Sequence, residues 1–247
     1  MKAFILAAGL GTRLKPLTDT KPKALIELNG ITMLEILINR LKQAGFNEFI
    51  INVHHFSQQI IDYLNAKGNF GVKISISNEK KLLLDTGGGL KKASWFFSHG
   101  QPFLVHNVDI FTDLDLAKLY SQHFKSDALI TLAVQKRETS RYLLFDSGKI
   151  LCGWENIKTK EKIITREQKG TLEKLAYSGI HIADPKIFYL MPDKSVFSLI
   201  ELFLKLAPQQ QITYFDHSDS VFLDLGKMKT LKSAEKYLSD LQQEGES

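Results

Sequence analysis

The chain has 247 residues, 44% hydrophobic and 24% charged, a mix that suits one globular domain with a buried core and leaves little length for a second. Its net charge of +5 comes from Lys and Arg interspersed with Asp and Glu rather than gathered on one patch, which argues against a nucleic-acid partner. Cys152 is the one cysteine, so no intrachain disulfide can form, and no apolar run approaches the roughly 20 residues that span a membrane, so a cytoplasmic protein is expected.

Apolar β-rich runs alternate with helix-period runs, the pattern of a mostly parallel sheet flanked by helices. Lys2 to Ala8 reads as a fully buried strand, too short to serve as a signal peptide. Beyond the glycines that follow it, Met33, Leu34, Leu37, Ile38 and Leu41 share one helix face, with a stop at Gly45. Phe49 to Val53 is the next strand and Ser57 to Ala66 the next helix. Val72 to Ser77 is a third strand, and after Gly87-Gly88-Gly89 a helix is expected to begin near Leu90. Pro102 to His106 forms a central strand. A helix capped near Thr112 or Asp113 follows, with Leu116, Leu119, Tyr120 and Phe124 inward, and then a strand over Ala128 to Val134.

Over residues 136–177 the pattern breaks into short strands and charged turns, read as an insertion that leans over the sheet and helps form a pocket. Strand-like Tyr177 to Ile182, a helix around Ser195 to Leu206, strand-like Val221 to Asp224 and a helix over Met228 to Leu241 complete a single domain, 1–247. Disorder is expected only from Gln242 to Ser247, and no internal repeat is visible.

The densest chemistry lies directly after the first strand. Gly9 and Gly11 leave backbone N–H groups bare where a polyanion can approach, and Arg13, Lys15, Lys21 and Lys23 bring cations to the same loop. Pro16 and Pro22 restrict how the loop bends. A dinucleotide fingerprint would need a third glycine where Leu14 stands, and neither glycine starts a P-loop. From Leu6 to Leu25 the run instead resembles the signature of the sugar-1-phosphate nucleotidyltransferases. Ala-Ala-Gly, Gly-Thr-Arg, Pro-Leu-Thr and Pro-Lys all stand at that family's spacing.

The resemblance covers nearly the whole chain and implies a Rossmann-like fold of the glycosyltransferase-A type, mixed but mostly parallel, without the C-terminal β-helix of longer relatives. It implies Mg²⁺-dependent transfer of a nucleotidyl group from an NTP to a sugar 1-phosphate, as in cell-envelope precursor synthesis, by a monomer or small homo-oligomer. Asp109 and Asp224 each follow a strand, on the rim where open α/β sheets bind ligands. The family pairs acids at these two places as Mg²⁺ ligands, and magnesium favours such hard oxygen donors. Relatives commonly have glycine immediately before the first acid, where this chain has Val108.

The same likeness places Ala8, Gly9, Gly11, Thr12 and Arg13 on the nucleotide. A guanidinium at Arg13 suits the β- and γ-phosphates, and Lys23 is placed near the α-phosphate and the incoming sugar phosphate. Asp85-Thr86-Gly87-Gly88-Gly89 resembles the base-recognition segment of N-acetylmuramate 1-phosphate uridylyltransferases. Thr86, Gly87 and Gly88 are read as a platform on which a base stacks against bare backbone, with UTP favoured and Glu79 at a base edge. In the sugar pocket the expected residues are Gly179 of Ser178-Gly179-Ile180 and, within the insertion, Arg141, with Arg137 as a further candidate. Glu173-Lys174 is followed by Leu175 where larger members have proline, so no sugar-phosphate role is carried to Lys174.

The seven histidines lack metal-ligand spacing and read as structural. Other readings are a guanylyltransferase for mannose- or heptose-type 1-phosphates, a glycosyltransferase using Asp113-Leu114-Asp115, and a non-catalytic nucleotide-sugar sensor. The intact Arg13, Lys23, Asp109 and Asp224 weigh against the last.

Overall fold

The run Ala3-Phe4-Ile5-Leu6 has no polar position, and strand β1 (Lys2–Leu6) is accordingly buried on both faces. Phe4 and Leu6 enter the core on one side of the sheet, Ala3 and Ile5 the core on the other. The computed structural model describes residues 1–80, 82–98 and 100–245. After β1 come the short hairpin β2 (Glu27–Leu28) and β3 (Ile31–Thr32), then α1 (Met33–Gln43), β4 (Glu48–Val53), α2 (Ser57–Ala66), β5 (Lys73–Asn78) and α3 (Asp85–Lys92). The middle of the chain holds β6 (Phe103–Asn107), β7 (Ile110–Thr112), α4 (Leu116–Phe124), β8 (Ile130–Gln135), β9 (Arg141–Phe145), β10 (Leu151–Asn156), β11 (Glu161–Ile164) and β12 (Glu173–Ala183). It closes with α5 (Leu199–Leu206), β13 (Ile212–Asp216), β14 (Phe222–Asp224) and α6 (Met228–Gly245).

The central sheet runs β5-β4-β1-β6-β12-β8-β13. β5, β4, β1 and β6 are mutually parallel, β12 is antiparallel to both of its neighbours, and β13 is parallel to β8. α1, α2 and α4 cover one face through Leu37, Leu41, Ile60 and Leu119, while α3, α5 and the aromatic turn at Phe96 and Phe97 cover the other. A third, smaller core gathers Leu14, Leu28, Phe111, Leu225 and Leu231, packing the glycine loop against β7, β14 and α6. No helix among the described residues is long and apolar enough to cross a membrane.

Local sequence explains most boundaries. Thr32, Asp115 and Ser198 cap α1, α4 and α5 by accepting from the N–H groups of Glu35, Lys118 and Glu201. Three departures from the sequence reading matter for the site. α3 begins at Asp85 and not near Leu90, so the glycines lie inside the helix. The stretch expected to cap the next helix at Thr112 or Asp113 is strand β7, because Ile110 to Thr112 pairs with β14, and the cap moves to Asp115. Phe124, expected inward, is 62% exposed at the end of α4.

Residues 136–177 supply the antiparallel β9, β10 and β11, and β9 joins the first half of the long β12. β13 has no counterpart in the sequence reading, and α6 continues through Gly245, so the tail is helical past Gln242; residues 246 and 247 lie outside the described residues.

Candidate active site

Gly11 sits at φ +66°, and a Cβ there would lie 2.7 Å from Thr18 Cγ2, so both backbone conformation and space require glycine. The Thr18 hydroxyl donates to the Gly11 carbonyl at 2.9 Å and pulls the loop into a closed turn. Leu14 anchors that turn in the small third core, leaving Arg13 on the outside with its side chain 61% exposed. A Cβ on Gly9 would meet nothing within 4 Å, so the approach to its backbone is open.

Asp109 and Asp224 are far apart in sequence and adjacent in space because β7 and β14 pair, with Asp224 opposite Ile110. The Leu225 N–H donates to the Asp109 carbonyl at 2.8 Å, which locks the turn after β14 onto the turn after β6. Gly226 marks where the two acids meet. A Cβ there would lie 2.8 Å from Asp109 Oδ2 and 2.9 Å from each of Asp224 Oδ1 and Arg13 Nη2. Two carboxylates and the guanidinium therefore face one point.

Cations already surround that point. Lys23 donates to Asp109 Oδ2, both side chains being nearly buried. Lys227 lies 3.1 Å and Arg13 3.8 Å from Asp224 Oδ2. Burial pushes the Asp224 carboxyl up, but Lys227, the Gly226 N–H and Arg13 outweigh it and hold it below the usual carboxylate range. Among the described residues, no group of three or more His, Cys, Asp or Glu is placed to hold a metal ion. Asp109 and Asp224 are nevertheless hard oxygen donors, the type that Mg²⁺ favours.

A cleft of about 440 Å³ opens beside these groups at the C-terminal ends of β1 and β6. Ala8, Gly9, Lys23, Asp85, Thr86 and Asp109 line it, as do Asn52, Leu83, Asn107 and Val196, which the sequence reading did not single out. Asn52 did carry a signal, as the polar residue that interrupts the apolar run Phe49 to Val53. Gly11, Thr12, Arg13 and Asp224 lie beyond the lining, with Arg13 and Asp224 at the Gly226 turn.

The structure gives the base-side candidates partners within the protein. Gly87 and Gly88 are buried inside α3 and do not line the cleft. A Cβ on Gly87 would lie 2.5 Å from the Phe197 ring, and one on Gly88 would lie 2.0 Å from the Ser195 carbonyl oxygen. Both N–H groups donate to the Phe197 carbonyl, at 2.9 and 3.1 Å, and the Leu199 N–H donates to Thr86 Oγ1 at 2.9 Å. The glycines serve to dock the segment before α5 onto α3. Glu79 does not present a base-reading edge either, since it is 1% exposed with both carboxylate oxygens bonded to protein groups.

On the sugar side, Gly179 has φ +74° where the pairing of β12 with β8 shifts register, and it is buried. A Cβ there would lie 2.6 Å from Asn107 Nδ2, so this glycine makes room for the Asn107 amide, which in turn lines the cleft. Arg141 is exposed at the start of β9, and no residue of 136–177 is among those lining the cleft. Arg137 is half-buried, donating to the Tyr177 carbonyl at 3.2 Å and stacked 4.3 Å over the Phe222 ring, two residues from Asp224.

Residues 2–240 match the family model described as nucleotidyl transferase. The chain is 32% identical over 242 residues to the N-acetylmuramate alpha-1-phosphate uridylyltransferase of Neisseria meningitidis serogroup B, covering 95% of this chain and 97% of the relative. It is 32% identical to the UTP–glucose-1-phosphate uridylyltransferase of Synechocystis, over 92% of this chain, and spans only 61% of that relative's length. It is likewise 32% identical to the mannose-1-phosphate guanylyltransferase catalytic subunit beta of Dictyostelium discoideum, over 94% of this chain and 63% of the relative.

Proposed function

The chain belongs to the nucleotidyl transferase family, and from that premise we propose that it transfers the uridylyl group of UTP to a sugar 1-phosphate, yielding a UDP-sugar and pyrophosphate. The observation that carries the reading is the convergence of Arg13, Asp109 and Asp224 on the Gly226 turn, beside a cleft bordered by the open backbone at Gly9.

In this reading Gly9 and its neighbours receive the triphosphate on main-chain N–H groups, and Arg13 holds the outer phosphates through paired donors. Lys23 neutralises charge at the α-phosphorus as the sugar phosphate oxygen attacks and pyrophosphate leaves. Lys23 also pairs with Asp109, which ties the cation of the loop to one of the two acids. Asp109 and Asp224 would hold Mg²⁺, whose contribution is charge neutralisation of the triphosphate. No protein nucleophile is needed, because positioning and charge carry the reaction.

The preference for UTP is supported by the names of two of the relatives and not by the triple glycine, which is buried in packing. The guanylyltransferase relative supports GTP with a mannose- or heptose-type 1-phosphate as the second reading. A matrix of four NTPs against a panel of sugar 1-phosphates, scored by pyrophosphate release, tests both. Release that depends on sugar 1-phosphate and is fastest with UTP is the expected result. Fastest release with GTP selects the second reading, and release with no NTP would overturn the enzyme assignment.

A further inference from the structure

Asn52 is 2% exposed within an otherwise apolar strand, so its amide must find its partners inside the protein. Its Oδ1 accepts from the Ala7 N–H at 2.8 Å, and its Nδ2 donates to Glu79 Oε1 at 2.8 Å. The other oxygen of Glu79 accepts from the Leu84 N–H at 3.0 Å. A continuous hydrogen-bonded chain thus runs from Ala7, at the root of the glycine loop, to Leu84, the residue that caps α3. Gly89 makes space for it, since a Cβ there would lie 2.8 Å from both Asn52 Nδ2 and Glu79 Oε1. Ala7 lines the cleft, and so do Leu83, Asp85 and Thr86, which flank or follow Leu84.

The residue types follow from the two ends. Both termini of the hydrogen-bonded chain are backbone N–H donors pointing inward. A carboxamide passes one donor along, accepting at oxygen and donating at nitrogen, so somewhere two donors must meet a group that only accepts. An ionised carboxylate is such a group. An Asn–Gln pair would leave an NH₂ facing an N–H, and an Asp–Glu pair would set two carboxylate oxygens against each other.

We propose that Asn52 and Glu79 are positioning residues that hold the root of the glycine loop and the start of α3, both of which line the cleft, in register, and so set nucleotide affinity without touching the reacting atoms. The kinetic half of this proposal rests on the nucleotidyl-transfer reading. The structural half does not.

The test compares Asn52→Asp, Glu79→Gln and the double variant carrying both. In the double variant the carboxylate introduced at position 52 accepts from the Ala7 N–H and from the carboxamide introduced at position 79. The oxygen of that carboxamide accepts from the Leu84 N–H, so every bond is remade with the acid moved across. Amide hydrogen exchange at Ala7 and Leu84, followed by NMR in ligand-free protein, should speed up at least about tenfold at one or both sites in each single variant and return to within about threefold of wild type in the double. Exchange in the double no slower than in the faster single variant would overturn the proposal. Should a single variant fail to fold, recovery of the melting transition in the double supports the proposal and its absence overturns it.

Nucleotide affinity adds a test of sign. Glu79→Gln removes a negative charge from behind a polyanion site, so electrostatics alone predicts tighter UTP binding. The brace predicts the reverse: an approximately tenfold higher Kd by calorimetry and a higher KM, with kcat within about twofold. Binding as tight as wild type or tighter would overturn it. If wild type released no sugar-1-phosphate-dependent pyrophosphate, the functional reading would fall, while rescue of exchange in the double variant would still uphold the brace.

Discussion

Gly88→Ala separates the packing role of the triple glycine from a base-platform role. On helix propensity alone the change should stabilise α3 by about 1 kcal/mol, since glycine is a poor residue for a helix interior. The structure opposes that gain with a backbone collision, because the new Cβ would lie 2.0 Å from the Ser195 carbonyl oxygen and 3.2 Å from its carbon. Backbone on both sides cannot rotate away, so the segment before α5 must lift. Lifting it breaks the bonds from the Gly87 and Gly88 N–H groups to the Phe197 carbonyl and strains the Leu199 N–H bond to Thr86. At about 1 kcal/mol per bond, with partial exposure of the Phe197 ring costing a further 1–2 kcal/mol or so, the clash outweighs the propensity gain and a net loss of about 3 kcal/mol is expected. Urea unfolding should show a lower midpoint with an unchanged slope, and the melting temperature should fall by roughly 6–12 °C for a domain of this size. Gly9→Ala is the control, because its Cβ meets nothing within 4 Å and stability should be unchanged. A Gly88→Ala protein that melts with wild type but has lost UTP affinity would refute this reasoning and return the glycines to the base.

Three further outcomes are expected. Asp109→Asn and Asp224→Asn should each lower pyrophosphate release at least about a hundredfold while circular dichroism stays native, and near-normal rates at saturating Mg²⁺ would remove that residue from the site. Arg13→Ala should raise KM for UTP about 10- to 150-fold, the range of a lost charge-assisted contact, whereas Lys23→Ala should depress kcat more than it raises KM; the opposite split in steady-state kinetics would exchange the two roles. Burial pushes His106, His123 and His217 down to about 4 and His181 to about 3, below their unfolded value of 6.5. The unfolded chain therefore binds more protons between those values and 6.5, so stability is complete above pH 6.5 and is lost as pH falls toward 4; a melting temperature flat across pH 4.5 to 6.5 would contradict this.

The order of strands and helices and the anion-binding loop were legible in the sequence because both are local. A buried parallel strand writes itself as an unbroken apolar run such as Ala3-Phe4-Ile5-Leu6, and a polyanion loop as bare glycines with cations a few residues away. Asp109 and Asp224 could be placed at strand ends from the residues before them. Their meeting at Gly226 could not, because it depends on the pairing of β7 with β14, two three-residue strands from distant parts of the chain. The helix start expected near Thr112 gave way to that same pairing and moved to Asp115. For Gly87 and Gly88 the sequence declared only that something comes close, since a missing side chain does not name its neighbour, and the tertiary structure supplied Phe197 and Ser195 where a base was expected. Asn52 and Glu79 are the same case in polar form. A lone amide in an apolar strand announces an obligatory internal partner, and only the side-by-side packing of β1, β4 and β5 decides that the partners are Ala7, Glu79 and, through it, Leu84.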